Sequence, residues 1–222
     1  MLINPAYEGT PVVTKQFLRA QLRAARAMMD DGVRSAAASG LASGGLGWAD
    51  SLDPAPAEGT LLPGPGICSY LPVGAEPDPR PLNRALAGAG YTVLVPVCEP
   101  EFRLSWAVWA DGQALVRSAL APVNEPAGPR FGSSVVAGVR GILLPALAAD
   151  ADGNRLGQGA GYYDRFLASL AGSGYAPATA ALVYDGEFLS AGLIETGRWD
   201  VPVSGVLTPG GYHAGVRGPN RG

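Results

Sequence analysis

Histidine, lysine and cysteine are scarce in this chain of 222 residues, and each shortage removes a class of chemistry. The one histidine, His213, lies in the glycine-rich stretch GGYHAGVRGPNRG, which leaves almost no room for Ser-His-Asp or Cys-His catalysis or for histidine-ligated zinc. The two cysteines, Cys68 and Cys98, sit in the apolar runs GICSYLPV and VLVPVCEP without CxxC or Cys/His spacing. They read as buried free thiols, not as a disulfide or a metal pair. The opening residues MLINPAYEGTPVVT hold neither a basic n-region nor an apolar h-region, so no secretory signal is expected. Apolar runs are strand-sized and interrupted by proline or glycine, which excludes a spanning helix and points to a cytoplasmic protein. The net charge of −3 gives no general attraction to nucleic acid or to an anionic membrane. An anionic ligand would have to be met by local clusters of arginine.

What is present describes one globular domain. A hydrophobic fraction of 47% with 16% charged residues supplies ample core. Residues 1–13 read as a flexible leader, 14–209 as a single domain and 210–222 as a flexible tail. Thr14 is positioned to cap a helix over KQFLRAQLRAARAMM, with Phe17, Leu18, Leu22 and Ala25 as its apolar stripe. Lys15, the sole lysine against fifteen arginines, stacks with Arg19, Arg23 and Arg26 on a neighbouring face. A second helix is expected from Asp31 to about Leu46, then a Pro/Gly loop over 53–66.

Strand and helix signals alternate afterwards. ICSYLPV, YTVLVPV, GILLPALA, ATAALVY and VSGVLTP read as strands, and DPRPLNRALAGAG and GYYDRFLASLAG as helices. RLSWAVWA reads as a half-buried strand, with Trp106 and Trp109 expected on the same side. Such βα alternation predicts a three-layer, Rossmann-like α/β domain with a mostly parallel sheet, whose ligands sit beyond the carboxyl ends of the strands.

GNRLGQGAGYYDRF (153–166) falls at such an end. Gly157, Gly159 and Gly161 let the backbone take positive φ and approach a ligand, making an anion nest ahead of a helix N-terminus. Arg155 offers a forked guanidinium, and Asp164 a carboxylate for hydrated Mg²⁺. The spacing matches neither a dinucleotide fingerprint nor a Walker loop. On glycine spacing alone, an ordinary turn is an equal reading.

NRLGQGAGYYDRFL resembles the signature RLGxGxGYYDRxL of the 5-formyltetrahydrofolate cyclo-ligase (methenyltetrahydrofolate synthetase) family. The likeness continues in KQFLRAQLRAAR, YLPVGAEPDPRPL, VLVPV, the segments around Trp109 and Glu125, GILLPALAADADGNRLG and WDVPVSGVLTP, over residues 15–209. The resemblance implies a CoA-transferase-like variant of the fold and an ATP- and Mg²⁺-dependent closure of 5-formyltetrahydrofolate to 5,10-methenyltetrahydrofolate, with ADP and phosphate released. Carried over by position, it implies that Lys15, Arg19 and Arg155 bind ATP together with Leu156, Gly157, Gln158, Gly159, Ala160, Gly161, Tyr162 and Tyr163. It gives Tyr70, Leu71, Glu76 and Tyr162 to the reduced folate, with Trp109 a weaker candidate for that pocket, and Asp164 to the metal. The partners would be small molecules and the protein a monomer. One departure stands out: the family's closing HDxxxD reads WDVPVS here, placing Trp199 and Ser204 where histidine and a metal-binding aspartate are usual. Asp200 or Asp185 could compensate. Ser204 and Trp199 keep open a non-catalytic relative that binds nucleotide or folate. The same loop would also serve a related ATP-dependent enzyme acting on another formylated or pterin-like substrate.

Overall fold

The computed structural model describes residues 14–54, 62–170 and 176–215. The expected leader, residues 55–61 of the Pro/Gly loop and the last seven residues lie outside this range.

Two helices come first, α1 (Lys15–Ala27) and α2 (Asp31–Asp50). Each is started by a side chain that accepts from an orphan backbone amide: Thr14 from Phe17 at 3.3 Å, and Asp30 from Val33 at 2.8 Å. There follow β1 (Gly66–Cys68), α3 (Arg80–Gly88), β2 (Thr92–Glu99), β3 (Arg103–Val108), β4 (Leu115–Arg117) and β5 (Asn124–Pro126). The chain continues with β6 (Val139–Pro145), β7 (Ala148–Asp150), β8 (Arg155–Leu156) and α4 (Tyr162–Leu170). It closes with β9 (Ala178–Leu182), β10 (Phe188–Leu189), β11 (Gly205–Thr208) and β12 (Gly211–Ala214).

Seven strands form the main sheet in the order β12-β11-β9-β6-β1-β2-β3. The inner neighbours from β11 to β2 all pair in parallel, and only the two edges, β12 and β3, are antiparallel. Alternate residues explain the layers. Val93, Val95, Leu143, Ala180 and Leu182 pack under α2 and α3, against Leu41, Trp48, Leu82 and Leu86. Leu94, Ile142, Leu144 and Ala181 face the opposite side with Val136 and with Phe166 and Leu167 of α4. Both faces are covered, which is why these strands read as unbroken apolar runs. Gly45 of α2 permits the tight helix–helix contact, since a Cβ there would stand 2.4 Å from Leu82. α1 packs separately, through Leu18 and Leu22, on Leu147, Ala148, Leu156, Leu189 and Ile194 around the small sheet β10-β7-β8.

The three-layer, mostly parallel α/β architecture agrees with expectation, and several details differ. ICSYLPV is a strand only as far as Cys68, after which the chain leaves the sheet. GILLPALA divides into β6 and β7 at Ala146–Leu147. α2 runs to Asp50, four residues beyond the expected end. β3 is buried on both faces, with Trp106 bonded through its backbone to Phe131 and ring-packed on Phe166. Trp106 and Trp109 fall on opposite sides, one in each core cluster, as their odd spacing requires in an extended chain. Gly211–Ala214, assigned from sequence to the tail, form an edge strand.

Candidate active site

A cleft of about 620 Å³ opens where β1, β2 and β6 end, within the size range of small-molecule sites. Its floor is made by Tyr70, Pro96, Cys98 and Pro145 at or just after the strands, and one wall by Ala121–Asn124 leading into β5. The other wall combines α1 with the glycine loop.

The four basic residues of α1 each have a different task. Lys15 pairs through Nζ with Asp200. Arg19 donates from Nε to the Gly157 carbonyl at 2.9 Å. Arg23 grips Gln158, donating to its side-chain oxygen at 2.9 Å and to its backbone carbonyl at 3.1 Å. Arg26 is buried and forked onto Glu187 at 2.6 and 2.7 Å, with a further bond to the Ala146 carbonyl. One helix face thus ties the glycine loop, the end of β6 and the segment before β11 together.

Gly159 and Gly161 have φ of +108° and +77°, conformations that side chains disfavour, whereas Gly157 needs no such freedom. Gly157 through Asp164 all line the cleft, and α4 starts at Tyr162, so its N-terminal end faces the cavity. Arg155 is held against Asp164 at 2.5 Å and lies 5.9 Å from the Tyr163 ring centroid. Asp164 and Asp200 are half-buried carboxylates of the cleft lining, each already facing a cation. Burial works against ionisation of Asp200, yet Lys15 and the Gly197 amide hold its pKa below the ordinary carboxylate value.

Glu76 is brought in by the turn after β1 and is 8% exposed. Its Oε2 accepts from the Val73 amide at 3.0 Å and its Oε1 from the Gln158 side chain at 3.1 Å. Burial raises its pKa; these two donors and Arg26 oppose the rise. The Cys98 thiol, pushed up to about 11 by burial and by Glu125, is neutral at physiological pH and unsuited to nucleophilic work.

Of the residues singled out from sequence, Lys15, Arg19, Arg155, Gly157, Gln158, Gly159, Ala160, Gly161, Tyr162, Tyr163, Asp164, Tyr70, Leu71 and Glu76 line this one cleft. Leu156 does not; it is 1% exposed and packs in the core beneath α1. Trp109 is buried on the α3 side and lines a separate depression with Arg84 and Asp111. Tyr70 uses its hydroxyl internally, on the Pro77 carbonyl at 2.8 Å, so it contributes a wall and no free donor. Ser204 stands at the amino end of β11, where its hydroxyl bonds Thr179, and it does not line the cleft. Asp185 accepts from Gly210 and is also absent from the lining, whereas Asp200 is present. Arg23, Cys98, Leu104 and Ala121–Asn124 were not anticipated; of these, only Arg23 had a signal, its place on the basic face of α1.

Among the described residues, no three His, Cys, Asp or Glu side chains are grouped as a metal cluster. The carboxylates of Asp164 and Asp200, lining the cleft beside Lys15, Arg19 and Arg155, would nevertheless suit Mg²⁺, which keeps several waters and takes one or two carboxylates alongside phosphates.

A sequence model of the 5-formyltetrahydrofolate cyclo-ligase family matches residues 63–209. The chain is 34% identical over 199 residues to a 5-formyltetrahydrofolate cyclo-ligase of Mycolicibacterium smegmatis, covering 86% of this chain and 93% of that protein. A relative of the same name in Escherichia coli is 28% identical over 145 residues, covering 64% and 77% respectively. The fold is similar to the solution structure of Aquifex aeolicus 5,10-methenyltetrahydrofolate synthetase, with a TM-score of 0.67 at 22% identity over 94% of this chain and 96% of that one. It is also similar to a 5,10-methenyltetrahydrofolate synthetase from Mycoplasma pneumoniae, with a TM-score of 0.63 at 17% identity, covering 88% and 98%.

Proposed function

This chain belongs to the 5-formyltetrahydrofolate cyclo-ligase family, and from that membership we propose that it converts 5-formyltetrahydrofolate and ATP to 5,10-methenyltetrahydrofolate, ADP and phosphate. The observation that carries this reading is convergence. Lys15 and Arg19 of α1, Glu76 after β1, and Arg155 with the glycine loop come from three distant parts of the sequence and line one cavity.

The formyl oxygen attacks the γ-phosphorus, and the bond to the ADP oxygen breaks. N10 then attacks the formyl carbon, loses its proton, and the original formyl oxygen departs within phosphate. Both steps need alignment and charge neutralisation more than covalent help. Lys15, Arg19 and Arg155 supply positive charge in a chain that is acidic overall, and the start of α4 adds its dipole. Glu76 receives N–H donors of the pterin ring, while Leu71 and Tyr162 bound its apolar surface. Asp164 and Asp200 would hold Mg²⁺, which when bound neutralises phosphate charge. The pairs Lys15–Asp200 and Arg155–Asp164 would exchange partners on loading: phosphates take the cations, and the carboxylates turn to the metal.

Formation of the methenyl product, followed by its absorbance, tests the proposal directly. Lys15→Ala is expected to weaken ATP binding by about 1.5–3 kcal/mol, the scale of a charge-assisted bond. Asp164→Asn should nearly abolish turnover in a folded protein. Ser204→Asp should leave the Mg²⁺ requirement unchanged, since position 204 does not line the cleft. Absence of product from a chain that binds both ligands would favour the non-catalytic reading.

A further inference from the structure

Gln158 fills a variable position of the glycine loop, yet it is the side chain that bridges the two halves of the cleft. Its amide nitrogen donates to Glu76 Oε1 at 3.1 Å, and its amide oxygen accepts from Arg23 at 2.9 and 3.2 Å. Its backbone carbonyl accepts from Arg23 as well, and the Gly157 carbonyl from Arg19. These contacts turn two successive carbonyls toward α1. Because each peptide is planar and trans, the following N–H groups, of Gln158 and Gly159, are turned away from it. The loop flanking them includes two glycines with positive φ, so it has few intrinsic preferences of its own.

We propose that Gln158 is a positioning residue that couples the folate and nucleotide subsites, setting the pose of the glycine loop according to whether Glu76 is engaged by substrate. This rests on the functional reading above. The direction of coupling follows from the chemistry of Glu76. Donors from a bound pterin fix the orientation of the Glu76 carboxylate, and a fixed carboxylate oxygen holds the Gln158 amide, with its grip from Arg23, in one place. Each oxygen has a second lone pair, so substrate and Gln158 can be held together. Folate binding therefore tightens the Glu76–Gln158–Arg23 chain and prepares the loop for phosphates. By linkage, nucleotide must strengthen folate binding by the same factor.

The test is calorimetric titration of Mg²⁺ and a non-hydrolysable ATP analogue, with and without saturating 5-formyltetrahydrofolate, and the reciprocal pair. Wild-type protein should bind each ligand at least about fivefold more tightly in the presence of the other, the lower end of ordinary allosteric coupling. In Gln158→Ala the factor should fall toward one. In Gln158→Glu, which keeps an acceptor for Arg23 but opposes Glu76 with a second carboxylate, it should fall to one or below. A merely structural contribution would weaken the analogue equally with and without folate and leave the factor intact. Coupling that survives in Gln158→Ala, or that is missing in wild type, overturns the inference while the functional reading stands. Failure of wild-type protein to bind either ligand overturns both.

Discussion

Glu76 joins two opposing demands in one side chain. Its carboxylate lines the cleft, and burial makes the ionised form costly. With a folded pKa above its unfolded value, the native state binds more protons than the unfolded one across the carboxylate range. Its contribution to stability is therefore present at low pH and declines as pH rises through that range. Glu76→Gln keeps an acceptor and removes the charge. The variant should gain thermal stability relative to wild type at pH 7 and gain little at pH 4, while losing folate affinity; melting curves at the two pH values check the first part. A variant that loses stability at pH 7 would mean that the bonds from Val73 and Gln158 outweigh desolvation. Asp200 runs in the opposite sense, because Lys15 holds its pKa low and the stability from this pair disappears on acidification.

α1 is the element on which the site depends, and its anchor is remote from the chemistry. Arg26 and Glu187, 2% and 4% exposed, form a bidentate pair, and Glu187 also accepts the Tyr184 amide. Removing one partner strands a buried charge, so Glu187→Ala should lower unfolding stability by about 3–5 kcal/mol, measurable in urea. Replacing both by apolar residues of similar size should restore most of it, yet leave α1 less firmly oriented and ATP binding weaker. None of this was legible beforehand. The helix, its cap and its basic face follow from local spacing, but a partner 161 residues away leaves no periodic trace. The glycine loop was legible because turns, anion nests and family signatures are local patterns. Leu156 was misplaced because a strand reverses direction at every residue, and β8 sends this one into the core between cleft-lining Arg155 and Gly157. Ser204 lies off the cleft for a related reason: four residues separate Asp200 at the cleft from the start of β11, and they carry the chain to the amino end of that strand. A shared motif therefore does not imply a shared location.

The whole molecule places five parallel strands between antiparallel edges and collects its cleft-lining groups at one end. Burial on both faces made the inner strands readable as apolar runs, whereas β12 carries only Gly, Tyr, His and Ala and has no such signal. Its pairing with β11 is nonetheless complete over Gly205–Thr208, and His213 stacks on Phe188 at 4.4 Å between ring centroids. A chain ended at Pro209 should keep the cleft residues and lose this cover. Its monomer should melt at a lower temperature, and light scattering should rise with concentration on mild heating; unchanged scattering would show that β11 needs no shield. The reason lies in what β11 would then present: a row of unclaimed amides and carbonyls on a short strand, ready to recruit the same strand from another molecule. On this expectation, four unremarkable residues beyond the family's matched region serve as insulation, keeping an edge from becoming a template for fibres.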